Sequence, residues 1–339
     1  MTLGDNKTLY FIKNFMSRIL LLSLFVLIIS CEKKEKYTHL EGQAQGTTFS
    51  IIYDSEQNYS KQVDSLLRVI DASMSLWDST SIISKINANT YHGKVDLHFE
   101  KVFQRAMEVS KLTNGYFDIT VGPLVKTWGF SYKKNLSLPN MQQVDSLKKF
   151  IGYTKVKLID GKIQKEMPEI ALDFNALAQG YTVDVVAQYL EAKGSQNYMV
   201  EIGGEVKAKG VNEKKQIWQI GIDKPLEAKE GERPLQTVVK LNNKALATSG
   251  SYRKFIMKEG KKYSHAIDPK TGFPIKHNLL SISVIANDCM TADAYATAFL
   301  VMGLEQTKII AKNNNLEWYA IIAKSDDKLV AIKSEKFGN

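Results

Sequence analysis

Asp293 and Thr297 stand four residues apart in the run Thr291-Ala292-Asp293-Ala294-Tyr295-Ala296-Thr297. On a helix, that spacing puts a carboxylate and a hydroxyl on one face. Two hard oxygen donors suit magnesium, which takes one or two protein carboxylates and fills its other positions with water and substrate phosphate. The same pair also fits an ordinary helix start, with Asp293 in the first turn where the dipole favours it. Spacing alone leaves both readings open.

Other segments carry similar ambiguity. In Ala171-Leu172-Asp173-Phe174-Asn175-Ala176-Leu177-Ala178-Gln179-Gly180-Tyr181 an apolar strand is expected to end at Asp173 and a helix to begin within a few residues. Such a junction offers backbone amides to an anion, or holds an Asx cap and nothing more. Thr248-Ser249-Gly250 either holds a phosphate or caps a turn, and His265, ahead of Asp268-Pro269-Lys270-Thr271-Gly272, is either a group for proton exchange near neutrality or a structural ring. Trp77 beside Asp78-Ser79-Thr80, and Tyr116 and Phe117 beside Asp118, set aromatics next to small polar groups. That suits a stacked planar ligand or plain core packing. Glu201-Ile202-Gly203-Gly204-Glu205 needs no more than a hairpin to explain its glycines.

The elements that must position these residues follow from periodicity. Thr38 to Tyr53 reads as a hairpin, Ser60 to Trp77 as a helix with Val63, Leu66, Leu67, Ile70 and Met74 at helical spacing, and Phe99 to Thr113 as a second helix stopped by Asn114-Gly115. Helices are expected at 176–193, from near 291 to 303, and at 304–313, and strands at 198–202, 216–222, 236–241, 279–286 and twice more at the C-terminus. Strands and helices come in mixed blocks without strict βαβ alternation. That predicts an α+β fold, a single compact mixed domain with largely antiparallel sheet and packed helices.

Composition bounds the class. Of 339 residues, 44% are hydrophobic and 24% charged, the balance of a globular protein. Net charge is +9, which favours anionic ligands or membranes, but no dense Lys/Arg cluster interleaved with aromatics argues for nucleic acid. The five histidines are scattered and form no zinc-type cluster. Of the two cysteines, Cys289 reads as a small buried hydrophobe, so no internal disulfide is expected once Cys31 is set aside. Lys7, Lys13 and Arg18 precede the apolar run Ile19–Ile29, too short to span a bilayer and suited to an export signal starting at Met1 or Met16. Ile28-Ile29-Ser30-Cys31 resembles a bacterial lipoprotein cleavage site. By that resemblance residues 1–30 are a signal peptide, Cys31 carries the lipid, 31–37 form a charged tether and 38–335 the catalytic domain.

The order of the segments says more than any one of them. Met74–Asn87, Phe117–Leu124, Asp173–Tyr181, Glu201–Glu205, Thr248–Arg253, His265–Gly272 and Ala292–Thr297 together resemble the FAD:protein FMN transferase (ApbE) family over roughly residues 40–305. The resemblance implies FAD as substrate, magnesium as cofactor, and transfer of FMN to a threonine hydroxyl of an acceptor protein with release of AMP. Acceptors in that family include flavin-bearing subunits of membrane redox pumps. It also implies that Asp293 and Thr297 hold magnesium through side-chain oxygens and Ala176 through its carbonyl. Gln45, Trp77, Tyr116, Phe117, Asp118, Asp173 and Gln179 line the FAD site, and His265 handles a proton near the flavin. Departures are Asn175 and Ala176 where glycines are usual, Gln179 where lysine is usual, and Gln45 where methionine often meets the ligand. The alternatives are a magnesium-dependent FAD pyrophosphatase with the same site, and a flavin-binding lipoprotein without turnover. The expected location is a bacterial membrane facing the periplasm, the inner membrane before the outer.

Overall fold

A computed structural model describes residues 36–130, 138–225, 234–252, 255–258, 260–324 and 328–338. The segment 1–30 expected to be a signal peptide, Cys31 expected to carry lipid, residues 31–35 of the expected tether and Arg253 lie outside the described residues. The unit Tyr37–Asn339 is built around an eight-stranded sheet in the order β1-β2-β5-β6-β9-β12-β13-β14. Its strands are β1 (Thr38–Ala44), β2 (Thr47–Tyr53), β5 (Tyr198–Ile202), β6 (Glu205–Lys209), β9 (Lys244–Gly250), β12 (Leu279–Ala286), β13 (Glu317–Ala323) and β14 (Leu329–Lys333). Every neighbour pair is antiparallel, as the mixed order of elements predicted.

Alternation along the strands puts apolar side chains on both faces of this sheet. In β13, Trp318 and Ala320 join one core cluster while Tyr319 and Ile321 join another. The first face is covered by the helices α6 (Ala178–Ala192) and α7 (Cys289–Met302), with α6 against β5 and β6 and α7 against β6, β9 and β12. The second is covered by the hairpin of β7 (Trp218–Asp223) and β8 (Leu235–Leu241), whose Trp218, Ile220, Ile222, Val239 and Leu241 pack with Val206, Leu246, Ile285 and Phe337. The remaining helices are α1 (Ser60–Met74), α2 (Ile82–Asn87), α3 (Leu97–Leu112), α4 (Gly122–Thr127), α5 (Met141–Lys148) and α8 (Leu304–Asn313).

Several boundaries differ from the sequence reading for local reasons. The first helix stops at Met74, not Trp77, because Ser75 turns extended and its carbonyl accepts from the hydroxyls of Ser81 (2.7 Å) and Ser84 (3.1 Å). Residues 170–173 belong to no strand or helix, so Asp173 does not end a strand. α6 begins at Ala178, after a turn over 175–177. Thr248, Ser249 and Gly250 lie within β9, not in a turn. Short polar hairpins β3–β4 (Val156–Ile159, Lys162–Lys165) and β10–β11 (Phe255–Lys258, Lys261–Ser264) went unread.

Candidate functional site

α7 is buried nearly all round, and Asp293 and Thr297 are polar exceptions in its apolar middle. A buried polar group needs a partner. Thr297 Oγ1 lies 3.0 Å from Ser249 Oγ on the neighbouring strand β9. Asp293, 6% exposed, accepts the Gly180 backbone N–H at 3.1 Å. Burial pushes its carboxyl up to about 7, and the Gly180 bond pulls the other way. The Gly180 contact exists because the helices touch there: a Cβ on Gly180 would sit 2.4 Å from the Cys289 carbonyl oxygen and 2.8 Å from Asp293 Cβ.

Above this contact opens a cavity of about 330 Å³. The start of α6 and the segment before it bring Asn175, Ala176, Ala178 and Gln179 to its lining, β9 brings Ser249 and α7 brings Thr297. The β1–β2 turn, α1 and the residues after it bring Gln45, Ile70, Asp71, Met74, Ser75 and Trp77; the segments 116–130 and 265–269 bring Tyr116, Phe117, Asp118, Val121, Val125, Phe130, His265, Ile267 and Pro269. Gln45, Trp77, Tyr116, Phe117, Asp118, Asp173, Ala176, Gln179, His265 and Thr297, all expected at the site, therefore share one cavity. Asp293 is not on its wall; it lies one helical turn before Thr297.

Each wall residue is held by local chemistry. Gln45 and Gly46 form the two-residue turn between β1 and β2, both at positive φ (52° and 75°), and Gln45 Nε2 donates to Thr182 Oγ1 at 2.8 Å. Thr182 spends its own proton on the Ala178 carbonyl at 2.8 Å, which fixes the amide's orientation and leaves Gln45 Oε1 buried without a hydrogen-bond partner. Trp77 stands 66% exposed at the rim. Lys270 Nζ lies 3.7 Å from the centre of the Tyr116 ring, and His265 meets Phe130 edge-on at 6.3 Å between centroids. The segment before α6 is strapped in place: Asn87 donates to the Leu172 carbonyl at 2.9 Å and accepts its N–H at 2.7 Å, and Lys165 Nζ donates to the carbonyls of Ile86, Pro168 and Ile170. Asp173 N–H then reaches the Ile119 carbonyl at 2.7 Å, tying that segment to 116–130.

Two expected ligand contacts are partly engaged within the protein. Asp118 accepts from the Thr120 backbone and hydroxyl through one oxygen and from the Tyr153 N–H at 2.8 Å through the other. Asp173 accepts the Asn175 N–H at 2.8 Å, an Asx turn ahead of α6. Of the α6 amides expected to face an anion, that of Gly180 is taken by Asp293. Gln179 reaches the turn of Gly203, where a Cβ would sit 2.9 Å from its Nε2. Asp71 went unread as a wall residue because its helix gives an ordinary amphipathic pattern; burial raises its carboxyl, and Gln45 and then Asp78 contribute with opposite signs. Ser249, read as a hydroxyl that holds a phosphate or caps a turn, lies on a strand and lines the cavity.

The electrostatics decide what the cavity can hold. Asp71, Asp118 and Asp173 face it, burial raises the pKa of each, and among its described lining residues there is no Lys or Arg. A polyanion entering there needs a cation with it. Among the described residues no cluster of three or more His, Cys, Asp or Glu side chains is arranged for a metal. A carboxylate, a hydroxyl and a carbonyl completed by phosphate oxygens would suit magnesium without such a cluster.

The whole arrangement has known counterparts. The chain matches the ApbE family over residues 45–321. The chain belongs to the ApbE family. A relative from Haemophilus influenzae, named FAD:protein FMN transferase, is 36% identical over 96% of this chain and 97% of its own. One of the same name from Escherichia coli is 30% identical over 91% and 93%. Among solved structures, the flavin transferase ApbE from Vibrio cholerae aligns with a TM-score of 0.80 at 34% identity, covering 89% of this chain and 98% of that one. An ApbE protein from Thermotoga maritima aligns at 0.77 and 27% identity, over 90% and 100%. The α+β architecture is thus the ApbE fold, and the chain's relatives are flavin transferases.

Proposed function

We propose that this ApbE-family chain moves FMN from FAD to a threonine hydroxyl of an acceptor protein, releasing AMP, with magnesium in the cavity. The names of its relatives support flavin transfer. The observation that carries the metal requirement is an acidic cavity without Lys or Arg among its described lining residues. The dinucleotide's pyrophosphate brings negative charge to walls that already hold Asp71, Asp118 and Asp173. Asp293, Thr297 and the Ala176 carbonyl would hold the ion. When bound, it supplies charge neutralisation across the pyrophosphate and its leaving group.

The chain's own residues then bind, orient and move a proton. Trp77, Tyr116, Phe117 and Phe130, all on the lining, offer aromatic faces for the two ring systems. The acceptor hydroxyl attacks the FMN phosphorus, the bond to the AMP oxygen breaks, and the hydroxyl proton passes to His265. His265 is the one histidine on the described lining. The acceptor is an exported flavoprotein such as a redox-pump subunit, and the enzyme reaches it from the periplasmic face of the inner membrane through a lipid on Cys31. A Cys31→Ala chain released from membranes into the soluble fraction supports that anchor; unchanged membrane retention refutes it.

The deciding experiment incubates the purified protein with FAD, magnesium and an acceptor domain bearing a surface threonine. An FMN mass on the acceptor together with free AMP is expected. AMP without adduct would make the chain an FAD pyrophosphatase. Neither product would overturn both readings and leave a flavin binder.

A further inference from the structure

We propose that Asp184, paired with Lys207, is a positioning residue for the cation: it fixes the start of α7 against α6 so that Asp293 and Thr297 stay beneath the cavity. This rests on the proposed magnesium site. Asp184 lies on α6 one turn beyond Gly180, on the same face. Its Oδ1 accepts the Cys289 N–H at 3.0 Å and the Lys207 ammonium at 2.9 Å, and its Oδ2 accepts the Met290 N–H at 2.9 Å. One turn back along α6, Gly180 N–H donates to Asp293. The two helices are therefore locked at two points, each a carboxylate of one helix on backbone amides of the other.

A helix start needs only a local cap, and α7 has one: Asp288 accepts the Thr291 N–H at 2.8 Å and the Thr291 hydroxyl at 2.9 Å. Asp184 adds a tertiary hold on the two amides that Asp288 does not reach. Lys207 balances its charge in a place where the Asp184 side chain is 5% exposed and Lys207 18%. A buried pair of this kind contributes little net stability compared with an apolar pair of similar volume. What it does fix is angle and register. Cys289, whose N–H Asp184 holds, has its carbonyl against Gly180, the residue that donates to Asp293, so the pair and the proposed metal carboxylate flank one helix contact.

The test titrates the full chain with manganese as a paramagnetic stand-in, with magnesium competing, and follows free ion by electron paramagnetic resonance. Asp184→Asn is expected to weaken binding about tenfold, the low end for residues that orient metal ligands, with secondary structure intact. Asp293→Asn serves as the control for the site itself. Manganese binding lost in Asp293→Asn but unchanged in Asp184→Asn overturns the positioning role and leaves the metal site standing. Binding unchanged in Asp293→Asn removes the site and this proposal with it. If Asp184→Asn does not fold, Asp184→Glu decides: it keeps the charge and the Lys207 pair but lengthens the arm. Parent-like affinity there refutes the proposal, and several-fold weakening at a near-parent melting temperature supports it.

Discussion

Gly180→Ala puts a methyl group where the two site helices have no room for one. The new Cβ would meet the Cys289 carbonyl oxygen at 2.4 Å and its carbon at 2.7 Å, both backbone atoms that no rotamer change can move. To reach even 3.0 Å, α7 must shift by at least about 0.6 Å, which stretches the 3.1 Å bond from Gly180 N–H to Asp293 past the range of a hydrogen bond. Overpacking costs about 1–3 kcal/mol and the lost bond to a carboxylate about 1.5–3, while alanine in place of glycine within a helix returns about 1, so the net loss is about 1.5–5 kcal/mol. For the unit Tyr37–Asn339 that is a fall in Tm of roughly 2–8 °C. FAD turnover should fall further than stability, because Asp293 loses the group that orients it. Differential scanning calorimetry and AMP release measured on the same preparation check both. A Gly180→Ala protein with parent Tm and parent turnover would refute the close contact and the role built on it.

Three other outcomes follow from the same geometry. In metal-free protein Asp293 keeps its proton up to about 7 when folded but releases it near 3.8 when unfolded. The folded state therefore binds more protons in between, and stability should fall as pH rises from about 4 to 7 and then level off. Urea melts at pH 5 and pH 8 should show that slope reduced in Asp293→Asn; an identical slope refutes the assignment. Trp77→Ala should leave Tm unchanged, because the ring is exposed, yet weaken FAD binding about 2–10-fold, the worth of one stacked ring, read by flavin fluorescence. Asn87→Ala removes both bonds to Leu172, at about 1 kcal/mol each, and should lower kcat by loosening the segment before α6; unchanged turnover with lowered Tm would make Asn87 purely structural.

Helices with a clean apolar stripe were legible, as Val63, Leu67 and Ile70 of α1 show. So were hairpins whose turn chemistry is explicit, such as Gly203-Gly204 between Ile202 and Glu205. Strands of four residues such as Lys162–Lys165, where one apolar side chain, Ile163, alternates with polar ones, are too short for their period to stand out and were missed. Cavity residues were legible where an aromatic or a carboxylate sat in a recognisable segment. Asp71 was not, since its companions at the cavity arrive from β1–β2 and α6, and no local pattern announces a neighbour that distant in sequence. Asp118 illustrates the opposite limit. Its place on the wall was foreseen, but its engagement with Thr120 and Tyr153 depends on residues brought together by folding.

The central pairing of the sheet joins β6 to β9 through Val206↔Leu246, Lys207↔Ala245 and Ala208↔Lys244. α6 packs on β5 and β6 on one side of that seam, while α7 bridges it from β9 and β12 to β6. The parts that meet at the cavity are thus far apart in sequence, and contacts of that kind are among the slowest to form. A chain folding from its N-terminus has no complete cavity until its last third, with α7, has docked. Conversely, a small opening of this seam, well short of unfolding, is enough to silence the enzyme while its outer hairpins remain intact.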